Sequence, residues 1–363
     1  MNQFDGTKII AFHLPQYHVI PENNVWWGDG FTDWVNVKKA RPLYKQHNQP
    51  RIPLGENYYD LSNVEVMRWQ SEIAKKYGIY GFCYYHYWFE NGKKLLFEPL
   101  ENLLAEPSID FPFCLCWANE PWARTWDGRE KDVLIHQNYG KKEEWKQHFE
   151  YLINFFLDKR YIRVDDKPVI IIYRSGDCEN YNEMIQYWRE LCSQHGLSGL
   201  HVIDERNGKV HREYEQTDAV LDFEPLYSLV RERTITQKCI DRVRIEVLRL
   251  LRRNHLSYYS YDNVWKQILR RDYSNSKKKI YSGAFMDWDN TPRKTTNGIV
   301  IEGATPEKFS RYFKLQLERA NSMKNEFLFI NAWNEWAEGT YLEPDEKYGY
   351  AYLEAIGKAI NEV

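Results

Sequence analysis

Two glutamates three residues apart are the first candidates for chemistry in this sequence. Glu335 and Glu338 lie in the segment NAWNEWAEG, directly after the apolar run FLFI. Cleavage of a glycosidic bond needs one carboxylic acid to protonate the leaving oxygen and a second group to act as nucleophile or base. The spacing alone is also typical of a solvated helix start. Burial against tryptophan and a neighbouring carboxylate both shift carboxyl pKa values, so these surroundings favour acid–base chemistry.

The aromatic content indicates what such a pair would act on. The chain contains 14 Trp, 27 Tyr and 17 Phe, or 16% aromatic residues. Many of them stand beside polar residues, as in WWGD and WARTWD, rather than inside core-like runs. Aromatic faces pack against the C–H faces of sugar rings, while adjacent polar groups bind the hydroxyls. Tryptophan and tyrosine also fill cores and interfaces, but the clusters at strand ends favour a carbohydrate ligand.

Eight short β-branched or aromatic runs alternate with helical patterns and would position these residues. The predicted strands are Lys8–Leu14, Ile79–Tyr85, Phe113–Trp117, Val169–Tyr173, Leu200–Ile203, Ala219–Phe223, Tyr281–Met286 and Phe327–Ala332. The predicted helices are Asn63–Tyr77, Lys141–Leu157, Asn182–His195, Pro306–Met323 and Tyr348–Ile360. This alternation predicts an α/β fold, a (β/α)₈ TIM barrel with elaborated βα loops. An open doubly wound sheet is the alternative, although no G-x-G-x-x-G loop follows an early strand.

Two segments are too long to be simple connections. Residues 15–61 and 226–279 each follow the carboxyl end of a predicted strand, and that face of a barrel carries the active site. We interpret both as elaborated βα loops. The whole chain, residues 1–363, is then predicted to be one barrel domain, because barrels routinely exceed ~250 residues.

Polar and aromatic side chains gather at the carboxyl ends of all eight predicted strands. These ends meet at one rim of a barrel, where polar residues are typical of catalysis or binding. We predict that Glu335 and Glu338 are catalytic. The predicted substrate-binding residues are His13, Gln16, Tyr17, His18, Trp26, Trp27, Asp33, Trp34, Tyr85, His86, Trp88, Trp117, Asn119, Glu120, Trp122, Arg124, Trp126, Tyr173, Glu205, Glu224, Asp287, Trp288, Trp333, Asn334 and Trp336.

The charge balance argues against a polyanionic partner. The chain has 49 basic and 52 acidic residues, a formal net charge of −3, so an oligosaccharide or polysaccharide is expected rather than nucleic acid. One basic stretch, Asp241–Asn254, is more typical of a solvated helix face than of a polyanion or membrane site. No cofactor is predicted, and no metal site is convincing. Hydrogen bonding to sugar hydroxyls is the more economical role for His13, His18 and His86.

The sequence carries no visible targeting signal. The N-terminus has no basic segment followed by an apolar one, so the cytoplasm is the expected location. No apolar run approaches the ~20 residues that a bilayer span requires. A disulfide framework is improbable for the six cysteines, because Cys83, Cys114 and Cys116 lie inside apolar runs where a free thiol behaves as a small hydrophobe.

Several motifs together resemble a known family. The segments HLPQYH with WWGDGFTDW, YGIYGFCYYHYWF, WANEPWARTWDG and NAWNEWAEGTYLEPD resemble the WbsX-type family. That family is associated with bacterial surface polysaccharide synthesis and is similar to the family 99 glycoside hydrolases. The resemblance covers nearly the whole chain and implies a (β/α)₈ barrel.

The same resemblance implies roles for the acid pair. In the family 99 enzymes, which are retaining endo-α-mannosidases or mannanases, a similar N-E-W-x-E-G segment carries the two acids. By that likeness Glu335 is a base on the sugar's 2-hydroxyl, which gives an epoxide-like intermediate, and Glu338 is general acid and then base. Trp333, Asn334 and Trp336 are implied as support. The early motifs match the family 99 hydrolases less closely, so mannose specificity is not carried over.

Three hypotheses for the function follow. The first is a retaining glycoside hydrolase-like enzyme that acts on a bacterial or host glycan. The second is a glycosyltransferase in surface polysaccharide biosynthesis. Asp287-Trp288-Asp289 fits the metal-binding Asp-x-Asp pattern of nucleotide-sugar transferases formally, but a polar barrel rim explains it equally well. The third is a non-catalytic sugar-binding module, which the presence of both glutamates disfavours.

Overall fold

Eight parallel strands close into a barrel in the computed structural model, which describes residues 6–124, 129–208, 214–231, 243 and 256–363. The strands are β1 (Lys8–His13), β2 (Gly81–Trp88), β3 (Phe113–Trp117), β4 (Lys167–Ile172), β5 (His201–Arg206), β6 (Ala219–Asp222), β7 (Lys279–Phe285) and β8 (Phe327–Asn331). Each strand pairs in parallel with the next, and β1 pairs with both β2 and β8. The predicted TIM barrel is therefore confirmed, and every predicted strand overlaps one barrel strand.

Helices stand between the strands in chain order. They are α1 (Pro21–Trp27), α2 (Asp33–Lys39), α3 (Val64–Lys76), α4 (Glu98–Ala105), α5 (Lys142–Phe156), α6 (Tyr181–Gln194), α7 (Leu226–Arg231), α8 (Tyr261–Arg270), α9 (Thr291–Lys294), α10 (Pro306–Ser322) and α11 (Ala351–Glu362). The five predicted helices overlap α3, α5, α6, α10 and α11. Two of them begin at side-chain caps, because Asn63 accepts a hydrogen bond from Glu65 N and Thr305 accepts one from Lys308 N.

The barrel strands are buried on both faces, as expected when helices cover a parallel sheet. Val169 to Ile172 of β4 are all inaccessible to solvent, and every residue of β2 is buried. Both faces of such a strand therefore read as apolar or aromatic. Consequently, the sequence of β2 does not reveal which of its side chains point into the barrel.

The first long connection packs against the segment that follows β8. It contains α1, α2 and a short 3₁₀ turn at Leu54–Glu56. Leu54 N donates to the carbonyl of Pro344, and Arg51 donates to the carbonyl of Gly339. This connection therefore lies on the carboxyl side of the barrel.

The second long connection is described in part. It contains α7, α8 and the strand Ser257–Ser260, which pairs in parallel with Ile299–Glu302. Most of the basic stretch 241–254 lies outside the described residues, so its interpretation stays a prediction. The described part of the chain contains no helix long and apolar enough to cross a bilayer. The described cysteines are buried free thiols: Cys83, Cys114, Cys116, Cys178 and Cys192.

Candidate active site

A cleft of about 270 Å³ opens beside the carboxyl ends of the barrel strands. Its lining combines aromatic rings with charged side chains, as sugar-binding clefts do. Eight residues of the predicted site line it, and they are Gln16, Trp27, Tyr85, Glu120, Trp122, Tyr173, Glu335 and Glu338. The lining also includes polar and aromatic residues outside the predicted site, namely Tyr87, Phe223, Asn290, Arg293 and Lys294.

One guanidinium binds both predicted catalytic glutamates. Arg293 donates from Nη1 to Glu338 Oε1 at 2.8 Å and from Nη2 to Glu335 Oε2 at 3.1 Å. The same Nη2 donates to Asp33 Oδ2 at 2.8 Å. Arg293 therefore pairs with three carboxylates at once. We call Asp33, Arg293, Glu335 and Glu338 the rim cluster.

A tight turn presents the two glutamates to the cleft. Glu335 ends a two-residue strand, Asn334–Glu335, which pairs with Thr340–Tyr341 across a single 3₁₀ turn, Trp336–Glu338. Gly339 closes this turn with a φ of +66°, and a Cβ there would lie 2.8 Å from the backbone nitrogen of Asp289. The expected neighbourhood of the two acids is therefore observed, on a 3₁₀ turn rather than on an α-helical turn.

The electrostatics of the rim cluster favour a retained proton. Burial raises the pKa of Glu335 to about 8, although Arg293 acts to lower it, and Glu338 and Asp33 raise it further. Burial likewise raises the pKa of Glu338 above its ordinary value, against the opposing effect of Arg293. With both glutamates and Asp33 ionised, the negative charge around Arg293 would be in excess. The pair therefore holds a proton at neutral pH, which suits it to acid–base chemistry.

Residues on either side of Glu335 fix the turn rather than line the cleft. The Asn334 side chain accepts from Leu14 N at 2.7 Å and donates to the Leu14 carbonyl at 3.0 Å, which ties the turn to the end of β1. Tyr17 donates its hydroxyl to the Asn334 carbonyl. Trp336 stacks on Tyr341 with ring centroids 3.7 Å apart.

A buried carboxyl behind the turn, Glu343, was missed by the sequence analysis. It accepts hydrogen bonds from Trp336 Nε1 at 2.6 Å, Gln70 Nε2 at 2.7 Å and the Tyr59 hydroxyl at 2.9 Å. Burial raises its pKa to about 7 even though these donors act to lower it. His13 joins this network through Gln70 at 3.0 Å. The prediction that His13 lines the sugar site is therefore corrected, because its ring is buried behind the turn, where burial lowers its pKa to about 4.

Strand alternation displaces three more predicted residues. Tyr85 and Tyr87 of β2 line the cleft, so His86 and Trp88 point to the opposite face of the strand. There His86 Nε2 lies 2.8 Å from His148 Nε2 of α5, and Trp88 stacks on the His148 ring. Trp117 of β3 joins them and donates its indole N–H to the Trp88 carbonyl at 3.0 Å. These residues form an aromatic cluster between the barrel and α5, and burial lowers the pKa of His86 to about 3.

Several other predicted residues are engaged inside the protein. Asn119 clamps the backbone of Arg174, donating to its carbonyl at 2.8 Å and accepting from its N–H at 2.7 Å. Glu224 pairs with Arg271 at 2.8 Å. Buried residues outside the cleft lining are Tyr17, His18, Trp34, Glu205, Trp288, Trp333, Asn334 and Trp336, and Trp26 packs edge-on against Trp122. The side chain of Arg124 and the whole of Trp126 lie outside the described residues.

The Asp-x-Asp motif is occupied by protein partners. Asp287 pairs with Arg51 at 2.9 Å, and Asp289 accepts from Gln49 Nε2 at 2.7 Å and contacts His47 Nε2 at 2.8 Å. Burial acts to raise the pKa of Asp289, but these neighbours outweigh it and leave a pKa of about 2. The two carboxylates are structural anchors for the first long connection. Within the residues that the structure describes, no group of three or more His, Cys, Asp or Glu side chains is arranged to hold a metal ion.

Arg293 carries a signal that a wider search would have found. After β7 the site residues predicted from the sequence extend only to Trp288. Arg293 follows Phe285, the last residue of β7, by eight positions and lies at the end of the polar run DWDNTPR. A longer window after each strand would have included this arginine.

Comparisons with known proteins give a family and a shared fold. A family model described as "Glycosyltransferase WbsX" matches residues 9–356. The chain is 36% identical over 375 residues to the uncharacterized protein WxcX of Xanthomonas campestris pv. campestris strain ATCC 33913, and 36% identical over 374 residues to WxcX of strain B100. Each alignment covers 97% of this chain and 49% of the relative, so the chain spans about half the length of these curated relatives.

Solved structures of low sequence identity share the barrel. A GH99 endo-alpha-mannosidase from Bacteroides thetaiotaomicron, in complex with bis-tris propane, aligns with a TM-score of 0.56 at 14% identity, over 98% of this chain and 96% of that chain. A glycoside hydrolase-like protein aligns with a TM-score of 0.60 at 14% identity, over 98% and 95% of the two chains. At this identity the likeness concerns the fold.

Proposed function

The chain belongs to the glycosyltransferase WbsX family, and from that premise we propose that it is a glycan-processing enzyme with Glu335 and Glu338 as its acid–base pair. The observation that carries the proposal is the shared pairing of both carboxylates with Arg293 in an aromatic-lined cleft. One guanidinium neutralises the charge of one carboxylate. Here Arg293 binds three, which keeps a proton available beside the space where a sugar would lie.

The proposed reaction is retaining glycosidic cleavage on a bacterial or host glycan. Glu335 removes the proton of the sugar's 2-hydroxyl, and that oxygen attacks the anomeric carbon while the bond to the leaving oxygen breaks. Glu338 gives its proton to the leaving oxygen. In the second half Glu338 takes a proton from water, which opens the 1,2-anhydro ring, and Glu335 returns its proton to the 2-oxygen. The two displacements together retain the configuration.

Substrate binding would determine which of the two glutamates carries the shared proton. In the empty site burial favours the protonated form of Glu335. A 2-hydroxyl that donates to Glu335 stabilises its ionised form, and a leaving oxygen that accepts from Glu338 stabilises its protonated form. The bound sugar would thus shift the proton from Glu335 to Glu338, which is the arrangement that the first displacement requires.

The family description favours a second candidate, which is transfer to an acceptor sugar. The same pair supports both outcomes, because an acceptor hydroxyl can replace water in the second half. The occupied carboxylates of Asp287 and Asp289 do not support an Asp-x-Asp nucleotide-sugar site. A transferase of this kind would therefore use a glycosidic donor and the rim cluster.

A glycan screen tests the proposal. The protein is incubated with bacterial surface polysaccharides, host N-glycans and α-linked aryl glycosides, with and without acceptor sugars, and products are followed by mass spectrometry and anomeric proton NMR. We expect bond cleavage or transfer with retention, and losses of roughly 10²–10⁴-fold in Glu335→Gln and in Glu338→Gln. Full activity in both variants, or inversion at the anomeric carbon, would refute this mechanism.

A further inference from the structure

The side chain of Gln16 lines the cleft and carries a hydrogen-bond donor that has no protein partner among the described residues. It follows β1 by three residues, lines the cleft and is only 3% exposed. Its amide nitrogen, Nε2, has no hydrogen-bond partner among the residues that the structure describes. A buried polar atom without a partner costs free energy, so it is rare in folded proteins and typical of sites where a ligand or an ordered water completes the bonding.

The backbone of Gln16 is held firmly beside the rim cluster. Its carbonyl accepts from Asp33 N at 3.1 Å, and the Asp33 carboxylate accepts from Arg293 at 2.8 Å. Two residues earlier, both backbone groups of Leu14 are bonded by the Asn334 side chain, next to Glu335. The amide of Gln16 is therefore positioned relative to the acid pair by contacts on both sides.

Two neighbouring buried groups show why the position of Gln16 matters. His18 Nε2 and both amide atoms of Asn23 also lack partners in the described part of the chain, but neither residue lines the cleft. Gln16 is the member of this group whose side chain lines the cleft. A hydroxyl oxygen, which accepts hydrogen bonds, is the group that a sugar would offer to it.

We propose that Gln16 is a specificity-determining residue that donates its amide hydrogen bond to one hydroxyl of the sugar ring bound beside Glu335. This inference rests on the proposed function and adds to it a recognition contact on the non-reacting part of the sugar. A site built to bond a hydroxyl rejects the analogue without that hydroxyl, because the buried donor is then left unpaired. Gln16 would thus select among sugars that differ at one ring position.

The test measures binding, so it is independent of turnover. Six-membered iminosugars of gluco, manno and galacto configuration serve as probes, because their ring ammonium pairs with carboxylates. Isothermal titration calorimetry gives Kd for the tightest probe and for its monodeoxy forms, on the wild type, Gln16→Met and Gln16→Ala. The control is Gln186→Met, the same change at an exposed glutamine of α6 that bonds Glu190. Thermal unfolding confirms that each variant is folded.

We expect a specific pattern of Kd values for the probes on the wild type and the variants. One monodeoxy probe binds the wild type about tenfold more weakly than its parent iminosugar does. Both Gln16 variants bind that parent iminosugar about tenfold more weakly than the wild type binds it. The same variants bind that monodeoxy probe as the wild type does, and Gln186→Met changes nothing. Unchanged Kd values in folded Gln16 variants would overturn the inference and indicate a bound water at the amide. Failure of every probe to bind the wild type would instead overturn the proposed function together with this contact.

Discussion

Two buried arginine–carboxylate clusters stand at the carboxyl ends of the barrel strands, and they differ in charge. The rim cluster sets Arg293 against Asp33, Glu335 and Glu338. The second, which we call the β6 cluster, consists of Arg206, Asp222, Glu224 and Arg271. In the β6 cluster two guanidiniums face two carboxylates, so its charges balance.

The two clusters differ in their hydrogen bonding as well as in their charge. In the β6 cluster Asp222 accepts from Arg206, from Arg271 and from the Tyr273 hydroxyl, and Arg271 also donates to Ser228 at 2.8 Å. None of its four charged members lines the cleft, whereas Arg293, Glu335 and Glu338 all do. A balanced, fully bonded cluster stabilises a fold. An unbalanced cluster beside a cleft holds a proton that chemistry can use.

The largest expected effect is loss of activity from the rim cluster. Replacing Glu338 by Gln removes the proposed proton donor and should lower kcat/KM by roughly 10³-fold, within the range of general acid–base contributions. The matched control, Glu224→Gln, should change the kcat/KM of the folded protein by less than about threefold, because Glu224 does not reach the cleft. Equal losses in both variants would remove the distinction between the clusters.

The next effect is on stability, and it should appear in the β6 cluster. Arg271→Met leaves Asp222 and Glu224 short of one buried cation and should lower the free energy of unfolding by about 3–5 kcal/mol. Glu335→Gln should cause no comparable loss near neutral pH, because Glu335 already favours its protonated form. Urea unfolding of the two variants side by side measures this contrast. A larger loss in Glu335→Gln than in Arg271→Met would contradict it.

The pH dependence of stability should show the retained proton. The pKa of Glu335 is about 8 in the folded protein and near the ordinary 4.5 when unfolded, so folding favours its protonated form. Its contribution to stability is present at low pH and is lost as pH rises through about 8, by about 1.4 kcal/mol for each unit of pKa difference. Glu335→Gln should remove this loss, which extends over the interval between the two pKa values. Urea unfolding at pH 5.5, 7 and 9 measures it, and parallel pH curves for the two proteins would count against a raised pKa.

The smallest expected effect concerns the aromatic lining. Trp122 packs edge-on against Tyr87, with the two ring centroids 5.2 Å apart, and it lines the cleft. None of its described contacts is with Glu335 or Glu338. Trp122→Ala should raise KM by about three- to tenfold and leave kcat within a factor of two, because it removes sugar stacking but no proton transfer. Steady-state kinetics on the substrate found in the screen would check this. A fall in kcat with unchanged KM would assign Trp122 a different role.

The sequence predicted the barrel and the closeness of the two glutamates for related reasons. Apolar runs such as Val169–Ile172 mark buried strands locally, and the two glutamates are neighbours along the chain. Their partners are not local. Asp33 meets Arg293 across 260 residues, and Glu335 meets it across 42. No periodicity or motif in a single sequence encodes such a pairing, so the sequence did not predict that Arg293 binds both glutamates.

The direction of individual side chains was equally hidden. His86 and Trp88 resemble Tyr85 and Tyr87 in the sequence, because all four are polar or aromatic residues near the end of β2. Alternation sends one pair to the cleft and the other to α5. When both faces of a strand are buried, hydrophobicity does not distinguish the two pairs. The three-dimensional structure of the barrel is needed to show which pair faces the cleft.

We propose that Glu335 and Glu338 share one proton in the empty site, and NMR of the carboxyl groups can detect this proton. The protein is labelled with glutamate carrying ¹³C at the side-chain carboxyl, and Glu335→Gln and Glu338→Gln assign the two resonances. We expect that one proton remains on the pair at pH 7 and leaves with an apparent pKa near 8. Full ionisation of both carboxyls by pH 5.5 would contradict it.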